Sequence, residues 1–132
     1  MRYLLDTNTC IYIINNNPLA VRERFLQVSH DDIGLSSIVV GELVLGVAKS
    51  TSPRARPKLQ DFLATLHVVE FDDVAAWRWG ELRAHLQSKG KPIGPYDTQI
   101  AAHALALDCT LVTNNLREFE RVPGLKLENW ID

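Results

Sequence analysis

The sequence predicts an α/β fold in which a parallel sheet of four to five strands lies between two layers of helices. Short apolar stretches, typical of buried strands, alternate along the chain with longer segments of helical periodicity. Parallel strands require long crossover connections, usually helices, and these helices cover both faces of the sheet. We therefore expect a three-layer α/β/α architecture.

Five strands are predicted from short apolar or β-branched stretches that are bounded by turn residues. The first strand is followed directly by Asp6 and then by polar residues able to begin a helix. The predicted strands are Arg2–Leu5, Ile33–Leu35, Val68–Phe71, Thr110–Thr113 and Lys126–Glu128.

Helices are predicted where capping or proline residues precede apolar residues at three- and four-residue spacing. A Gly- and Pro-rich loop, residues 90–96, precedes an Ala- and Leu-rich helix whose cap could be Asp97. The predicted helices are Thr7–Asn15, a segment after Pro18, Ser37–Ser50, a segment through Leu59 to Leu66, Asp73–Lys89 and Asp97–Leu107, with a short segment ending at Phe119.

The helix after Asp73 carries one aromatic residue on the wrong side for a core. Ala75, Trp79, Leu82 and Leu86 form one stripe, whereas Trp77 falls nearly opposite. Since tryptophan is enriched at protein interfaces, we expect this face to contact another chain, unless a neighbouring loop covers it.

Composition indicates an ordinary globular chain. The 132 residues, 46% of them hydrophobic and 23% charged, fit a single domain over residues 1–132. The net charge of −2 argues against coating nucleic acid through bulk charge, but it does not exclude an RNA substrate. The basic loop 50–58 is a solvated connection or a local site for phosphates.

Several classes of protein are disfavoured. The longest apolar run, Ile38–Val47, is far too short to cross a bilayer, and the N-terminus lacks the features of a secretory signal. We therefore expect a cytoplasmic protein without a membrane partner. Cys10 and Cys109 lack the spacing of a zinc site and are expected to be reduced core residues.

Polar side chains at several strand–helix junctions form the candidate active site. Asp6, Asp97 and Asn115 follow predicted strands or loops, and such junctions gather at one edge of a parallel sheet. Glu42 lies on a helix among apolar neighbours, where an unpaired charge would cost several kcal/mol. We therefore expect Glu42 to face inward and to join this acidic cluster.

Clustered carboxylates require a cation because like charges raise each other's pKa. Oxygen-only ligands favour Mg²⁺, with Mn²⁺ as the alternative, over zinc. Asp6 and Asp97 are expected to hold the metal directly, with Glu42 as a further ligand or as the base that orients water. Phosphodiester hydrolysis is the reaction that fits this arrangement best.

Two other functions remain open from these residues. A phosphatase or phosphotransferase with an Asp nucleophile also begins with an apolar strand ending in Asp, although it usually carries a second acid where this chain has Asn8. In a non-catalytic α/β binding module, the acids would serve only as helix caps. Replacement of Asp6 or Asp97 by Asn would then leave every activity intact.

The chain resembles the PIN-domain ribonucleases and, within them, the VapC-type toxins of bacterial toxin–antitoxin pairs. Three short motifs carry this resemblance, and the similarity extends over essentially the whole chain. They are Leu4–Asn8 with the first acid, Gly41–Leu43 with the second, and Gly90–Asp97 with the third; the segment Thr113–Phe119 adds a pattern found in one VapC subset.

The resemblance implies further site residues. Many relatives carry a fourth acid where this chain has Asn115, so Glu118 is expected to replace it in part, and a second metal is doubtful. Thr7, Asn8 and Thr113 are expected to support the acids. Lys91 and Arg117 are expected to bind RNA phosphates.

The resemblance also implies a substrate and partners. The substrate would be RNA, with the anticodon stem-loop of initiator tRNA as the leading candidate, and cleavage would inhibit translation. The chain would be the toxin of a type II pair, blocked by a VapB-like antitoxin and linked to operator DNA only through that complex. A homodimer is also implied.

Overall fold

The computed structural model describes residues 1–131, and a five-stranded parallel sheet forms the centre of this part of the chain. The strand order is β3-β2-β1-β4-β5, so the first strand is central. The strands are β1 (Tyr3–Leu5), β2 (Ile33–Ser36), β3 (His67–Val69), β4 (Thr110–Val112) and β5 (Leu127–Glu128).

Helices flank the sheet, which confirms the predicted α/β architecture. A short 3₁₀ turn, His30–Asp32, leads into β2. Helices α1 to α4 contact one another, and α5 packs along α6. The helices are α1 (Thr7–Asn15), α2 (Leu19–Gln27), α3 (Ser37–Lys49), α4 (Ala55–Leu63), α5 (Asp73–Ser88), α6 (Pro95–Leu107) and α7 (Leu116–Phe119).

Strand β1 is the most enclosed part of the sheet. Its three residues are all buried, and Leu4 pairs in register with Gly34 on one side and Leu111 on the other. Strands buried on both faces consist of continuous apolar residues, as here. Because these pairings are parallel, the carboxyl ends of β1, β2 and β4 lie on the same side of the sheet. The segments that carry the candidate acids leave the strands on that side.

The start of α6 differs from the prediction. The helix begins at Pro95, with Gly94 as its N-cap, so Asp97 lies in the first turn and is not the cap. Proline is favoured at the first helical position because its fixed φ suits the helix and its missing N–H is not needed there. The stiff loop therefore ends two residues earlier than its Gly and Pro content indicated.

Two other boundaries also differ. Helix α4 ends at Leu63 rather than Leu66, because the N–H groups of Thr65 and Leu66 donate to carbonyls three residues back instead of four, at 3.2 and 3.3 Å. The Thr65 hydroxyl also donates to the carbonyl of Phe62, at 2.9 Å. This early end allows β3 to begin at His67.

The core stripe of α5 is confirmed, with Ala75, Leu82 and Leu86 buried. Trp77 is 77% exposed on the opposite side, as expected, and no neighbouring loop covers it within residues 1–131. Both cysteines are buried and unpaired. No helix in the described part of the chain is long and apolar enough to cross a membrane.

Candidate active site

Asp6 follows the central strand and is almost enclosed, with 5% of its surface exposed. Its Oδ1 accepts a hydrogen bond from the backbone N–H of Thr9 at 2.8 Å, which makes Asp6 the N-cap of α1. Burial raises the pKa of Asp6, although hydrogen bonds from Thr113 and Thr9 oppose this effect. Asp6 is therefore both a helix cap and a carboxyl group whose ionisation is disfavoured by burial.

Two buried threonines hold this acid in place. Thr9, which the sequence did not single out, donates its hydroxyl to the carbonyl of Val112 at 3.2 Å and so ties α1 to β4. Thr113 is fully buried, and its hydroxyl accepts from the N–H of Asn115 at 3.0 Å. The position of Thr9, three residues after a capping Asp, was the signal that could have identified it.

Glu42 is half-buried rather than enclosed. Its Oε1 accepts a hydrogen bond of 2.8 Å from the Thr7 hydroxyl in the first turn of α1. Leu45, one turn further along α3, is 55% exposed, so part of the apolar stripe expected to bury Glu42 faces solvent. Thr7 therefore orients Glu42, whereas Asn8 is exposed.

Asp97 has the most perturbed environment of the candidate acids. It is half-buried, and burial together with the charges of Glu118, Asp6 and Glu42 raises its pKa to about 7. Like charges at close range disfavour ionisation of a carboxyl group. The charges of these four side chains, which are distant in sequence, thus influence one another; three of them were placed together by the argument from strand ends, and Glu118 was expected from the family resemblance.

Glu118 completes the acidic cluster, and Asn115 positions it. Asn115 Nδ2 donates to Glu118 Oε2 at 2.6 Å, and the N–H of Gly94 donates to Glu118 Oε1 at 2.9 Å. Asp97 lies close enough to share a hydrogen bond with Glu118. Asn115 therefore contributes an amide that fixes a neighbouring carboxylate instead of a fourth charge of its own.

The two candidate phosphate-binding cations lie on segments next to this cluster. Lys91 belongs to the loop that ends at Gly94, and Arg117 directly precedes Glu118 in α7. Both side chains are exposed. Their contact with RNA phosphates stays a prediction.

The donor set fits a hard divalent cation. Asp6, Asp97, Glu42 and Glu118 offer only carboxylate oxygens, and the pKa of Asp97 is raised first by burial and then by the negative charges of the other three acids. No group of three His, Cys, Asp or Glu side chains within residues 1–131 is arranged to hold a metal by itself. Mg²⁺ does not require such a group, since it keeps several waters and often takes only one or two carboxylates.

A cavity of about 540 Å³ begins beside Glu42. Ile11 and Leu43 form part of its apolar lining, and Arg54 and Lys58 add positive charge. The predicted basic loop 50–58 is shorter than expected, because α4 begins at Ala55 and carries Lys58. The loop and the start of α4 border a concave surface that also contains one of the candidate acids.

Comparisons with known proteins all indicate the same family. The model of the PIN domain matches residues 3–125. The chain is 45% identical to a tRNA(fMet)-specific endonuclease VapC of Salmonella typhimurium over 131 residues, which cover 98% of each chain. It is also 45% identical, over 132 residues and 98% of each chain, to the ribonuclease VapC2 of Rickettsia felis.

The chain belongs to the VapC ribonucleases of the PIN domain family. A chain in the crystal structure of DNA-bound VapBC from Salmonella typhimurium superimposes with a TM-score of 0.93 at 45% identity, and the match covers 98% of each chain. Membership in a family of VapC ribonucleases favours nuclease chemistry over the phosphatase and the binding module that the sequence left open.

Proposed function

We propose that this VapC protein is an Mg²⁺-dependent endoribonuclease, with Mn²⁺ as an alternative ion, whose active site is formed by Asp6, Glu42, Asp97 and Glu118. One observation carries the proposal. The charges of the other three acids reach Asp97 and, together with burial, raise its pKa to about 7. Perturbed carboxyl groups that cluster in this way are typical of functional sites, and a bound cation would offset their mutual repulsion.

The roles of the residues follow from their contacts. Asp6, fixed by Thr9 and Thr113, and Asp97, in the first turn of α6, would hold the cation. Glu42, oriented by Thr7, would bind through water or accept a proton from the attacking water. The oxygen of that water would bond to phosphorus as the bond to the leaving ribose oxygen breaks, and the leaving oxygen would take up a proton from solvent.

The cation supplies what the carboxylates lack. When bound, it lowers the pKa of water and neutralises the charge that develops on the phosphate. Its charge also removes the repulsion that now raises the pKa of Asp97, so that all the acids can be ionised near neutral pH. Asn115 and Glu118 support the site by holding the loop before α6 through Gly94.

We propose initiator tRNA, cut in its anticodon stem-loop, as the substrate. The name of the Salmonella typhimurium relative as tRNA(fMet)-specific supports this choice. An open loop presents unpaired bases and accessible phosphates to a protein. Lys91 and Arg117 would contact the flanking phosphates. Cleavage there would inhibit translation. The protein would act in the cytoplasm, where its tRNA substrate is found.

We also propose that this chain is the toxin of a VapBC pair, with a VapB-like antitoxin as its inhibitor. The similarity to a chain of the DNA-bound VapBC structure supports this pairing. Operator DNA would be reached only through the complex. Homodimer formation would cover the exposed Trp77 on α5.

Incubation of the purified protein with total RNA, followed by sequencing of new ends, tests the proposed function. We expect cuts at one tRNA loop with Mg²⁺, none with EDTA and none with Asp97→Asn. Asp31→Asn is the matched control, because Asp31 is exposed and lies before β2, at the sheet edge opposite the site. Absence of cleavage of any RNA by the wild-type protein would contradict the proposal.

A further inference from the structure

Tyr96 stands directly before Asp97 in the first turn of α6 and is 56% exposed. The chain has three tyrosines, and the other two make contacts through their side chains. Tyr3 packs against the ring of Trp130, and the hydroxyl of Tyr12 accepts from Asn114 at 3.0 Å. Tyr96 has no hydrogen bond or ring contact within the part of the chain that the structure describes.

The backbone that carries Tyr96 is held firmly. The carbonyl of Gly94 accepts from the N–H and the hydroxyl of Thr98, both at 2.8 Å. Glu118 accepts from the N–H of Gly94, and Arg121 donates to the carbonyl of Pro92 at 3.0 Å. The exposed ring is therefore mounted on a segment fixed by one of the site acids, and not on a loose loop.

A rigidly mounted aromatic ring beside a nuclease site suits one type of ligand. Proteins that bind single-stranded nucleic acid stack unpaired bases on aromatic side chains, and this works for any base because every base has a π face. Asp97 would engage the phosphate, and Tyr96, the preceding residue, exposes its ring to solvent at the same end of α6, where a base next to that phosphate would find a flat surface. Charged surface alone would not supply this contact.

We infer that Tyr96 is the stacking platform for an unpaired base next to the phosphodiester that is cut. The inference rests on the proposed function, since it assumes an RNA substrate at Asp97. Tyr96 then selects single-stranded loops, because a base paired within a helix cannot turn out onto the ring. It is a specificity-determining residue and takes no part in proton transfer.

Three variants separate stacking from other roles. Tyr96→Phe keeps the flat ring, Tyr96→Trp enlarges it, and Tyr96→Leu keeps apolar bulk without a π face. We expect Phe and Trp to retain kcat/KM within about threefold, whereas Leu lowers it by roughly 5- to 150-fold, mainly through KM, as loss of one stacked base predicts. Melting temperatures should be unchanged, since the side chain is exposed.

A matched RNA substrate makes the test specific. An abasic nucleotide is placed in turn on each side of the mapped cut. At one of the two positions it should lower kcat/KM of the wild-type protein as much as Tyr96→Leu does on the intact RNA. The variant should then lose nothing further on that substrate. Independent losses at both positions, or wild-type kinetics for Tyr96→Leu, would overturn the inference, as would a variant that loses only inhibition by the antitoxin.

Binding measured without catalysis distinguishes this inference from the proposed function. RNA carrying 2-aminopurine at the same position should show quenched fluorescence with the wild-type protein in EDTA, and at least fivefold weaker binding with Tyr96→Leu. Quenching without cleavage in Mg²⁺ would leave stacking in place and contradict the nuclease. Cleavage with no effect of Tyr96→Leu on quenching or KM would contradict stacking alone.

Discussion

The hydroxyl of Thr7 donates a hydrogen bond of 2.8 Å to Glu42 Oε1 and so joins the first turn of α1 to α3. The two residues are separated by 35 positions in the chain, and the contact places a carboxylate of α3 against the first turn of α1, which directly follows the central strand. Hydrogen bonds to charged groups orient them more strongly than neutral ones do. The hydrogen bond therefore fixes the orientation of the Glu42 carboxylate, as its proposed role as ligand or base requires.

Replacement of Thr7 by Val removes this hydrogen bond at nearly constant volume. A bond to a charged group contributes about 1.5–3 kcal/mol, so we expect kcat to fall by roughly 10- to 150-fold with little change in KM. Thr7→Ser keeps a hydroxyl and should restore most of the rate. Equal rates for the Val and Ser variants would show that the bond has no role in cleavage.

Stability without metal should depend on pH through Asp97. Its pKa is about 7 in the folded protein and 3.8 as the unperturbed value, so between these values the folded chain binds a proton that the unfolded chain releases. The free energy of unfolding must then fall as pH rises from about 4 to 7 and level off above. Mg²⁺ should remove this decline by favouring the ionised form.

Asp97→Asn isolates this effect from the other titrating groups. The variant should match the wild-type protein near pH 4 and exceed it at pH 8 in EDTA, by on the order of 1 kcal/mol once solvent screening of a half-exposed group is allowed for. Urea unfolding at both pH values measures the difference. A constant difference between variant and wild type across this range would contradict the raised pKa.

The charge of Glu118 should lower the stability of the metal-free protein and raise its affinity for Mg²⁺. Glu118→Gln removes the neighbouring charge that contributes most to the raised pKa of Asp97, so the metal-free protein should become more stable. The same change should weaken Mg²⁺ binding by roughly 10- to 100-fold, the usual effect of losing a supporting carboxylate. Titration of the cleavage rate with Mg²⁺ measures this, with the exposed Glu120→Gln as control.

Asp6 combines a capping role with a charge, and two substitutions separate them. Asn caps helices about as well as Asp, so Asp6→Asn should fold, remain at least as stable without metal, and lose cleavage. Asp6→Ala loses the hydrogen bond to Thr9 as well and should be less stable than the Asn variant by about 1 kcal/mol. Thermal melting in EDTA provides the comparison. Full cleavage by Asp6→Asn would leave Asp6 as a cap alone.

Much of the fold follows from local signals in the sequence. Continuous apolar residues in Tyr3–Leu5 indicated the buried central strand, and the spacing of Ala75, Leu82 and Leu86 indicated the core face of α5. The same spacing placed Trp77 on the exposed side, where its contact with another chain stays a prediction. These features depend on periodicity within one element, which a sequence displays directly.

Features of the site that depend on contacts between elements were less accessible. Glu42 is half-buried because its neighbours on α3 meet a groove, and helical spacing cannot show what lies opposite a helix. A capping role for Asp97 was left open because the Pro-rich loop masked the true start of α6. The bond from Gly94 to Glu118 joins residues 24 positions apart, and no local pattern reports it.

The central claim is that the carboxylates gathered around Asp97 perform metal-dependent cleavage of RNA. Its most direct test is the initial rate of cleavage of purified initiator tRNA as a function of Mg²⁺ concentration, for the wild-type protein, Asp97→Asn and the control Asp31→Asn. We predict saturable Mg²⁺ dependence for the wild type and the control, and a rate at least 100-fold lower for Asp97→Asn at every concentration. Cleavage by Asp97→Asn at the wild-type rate, or by the wild type in EDTA, would contradict this account.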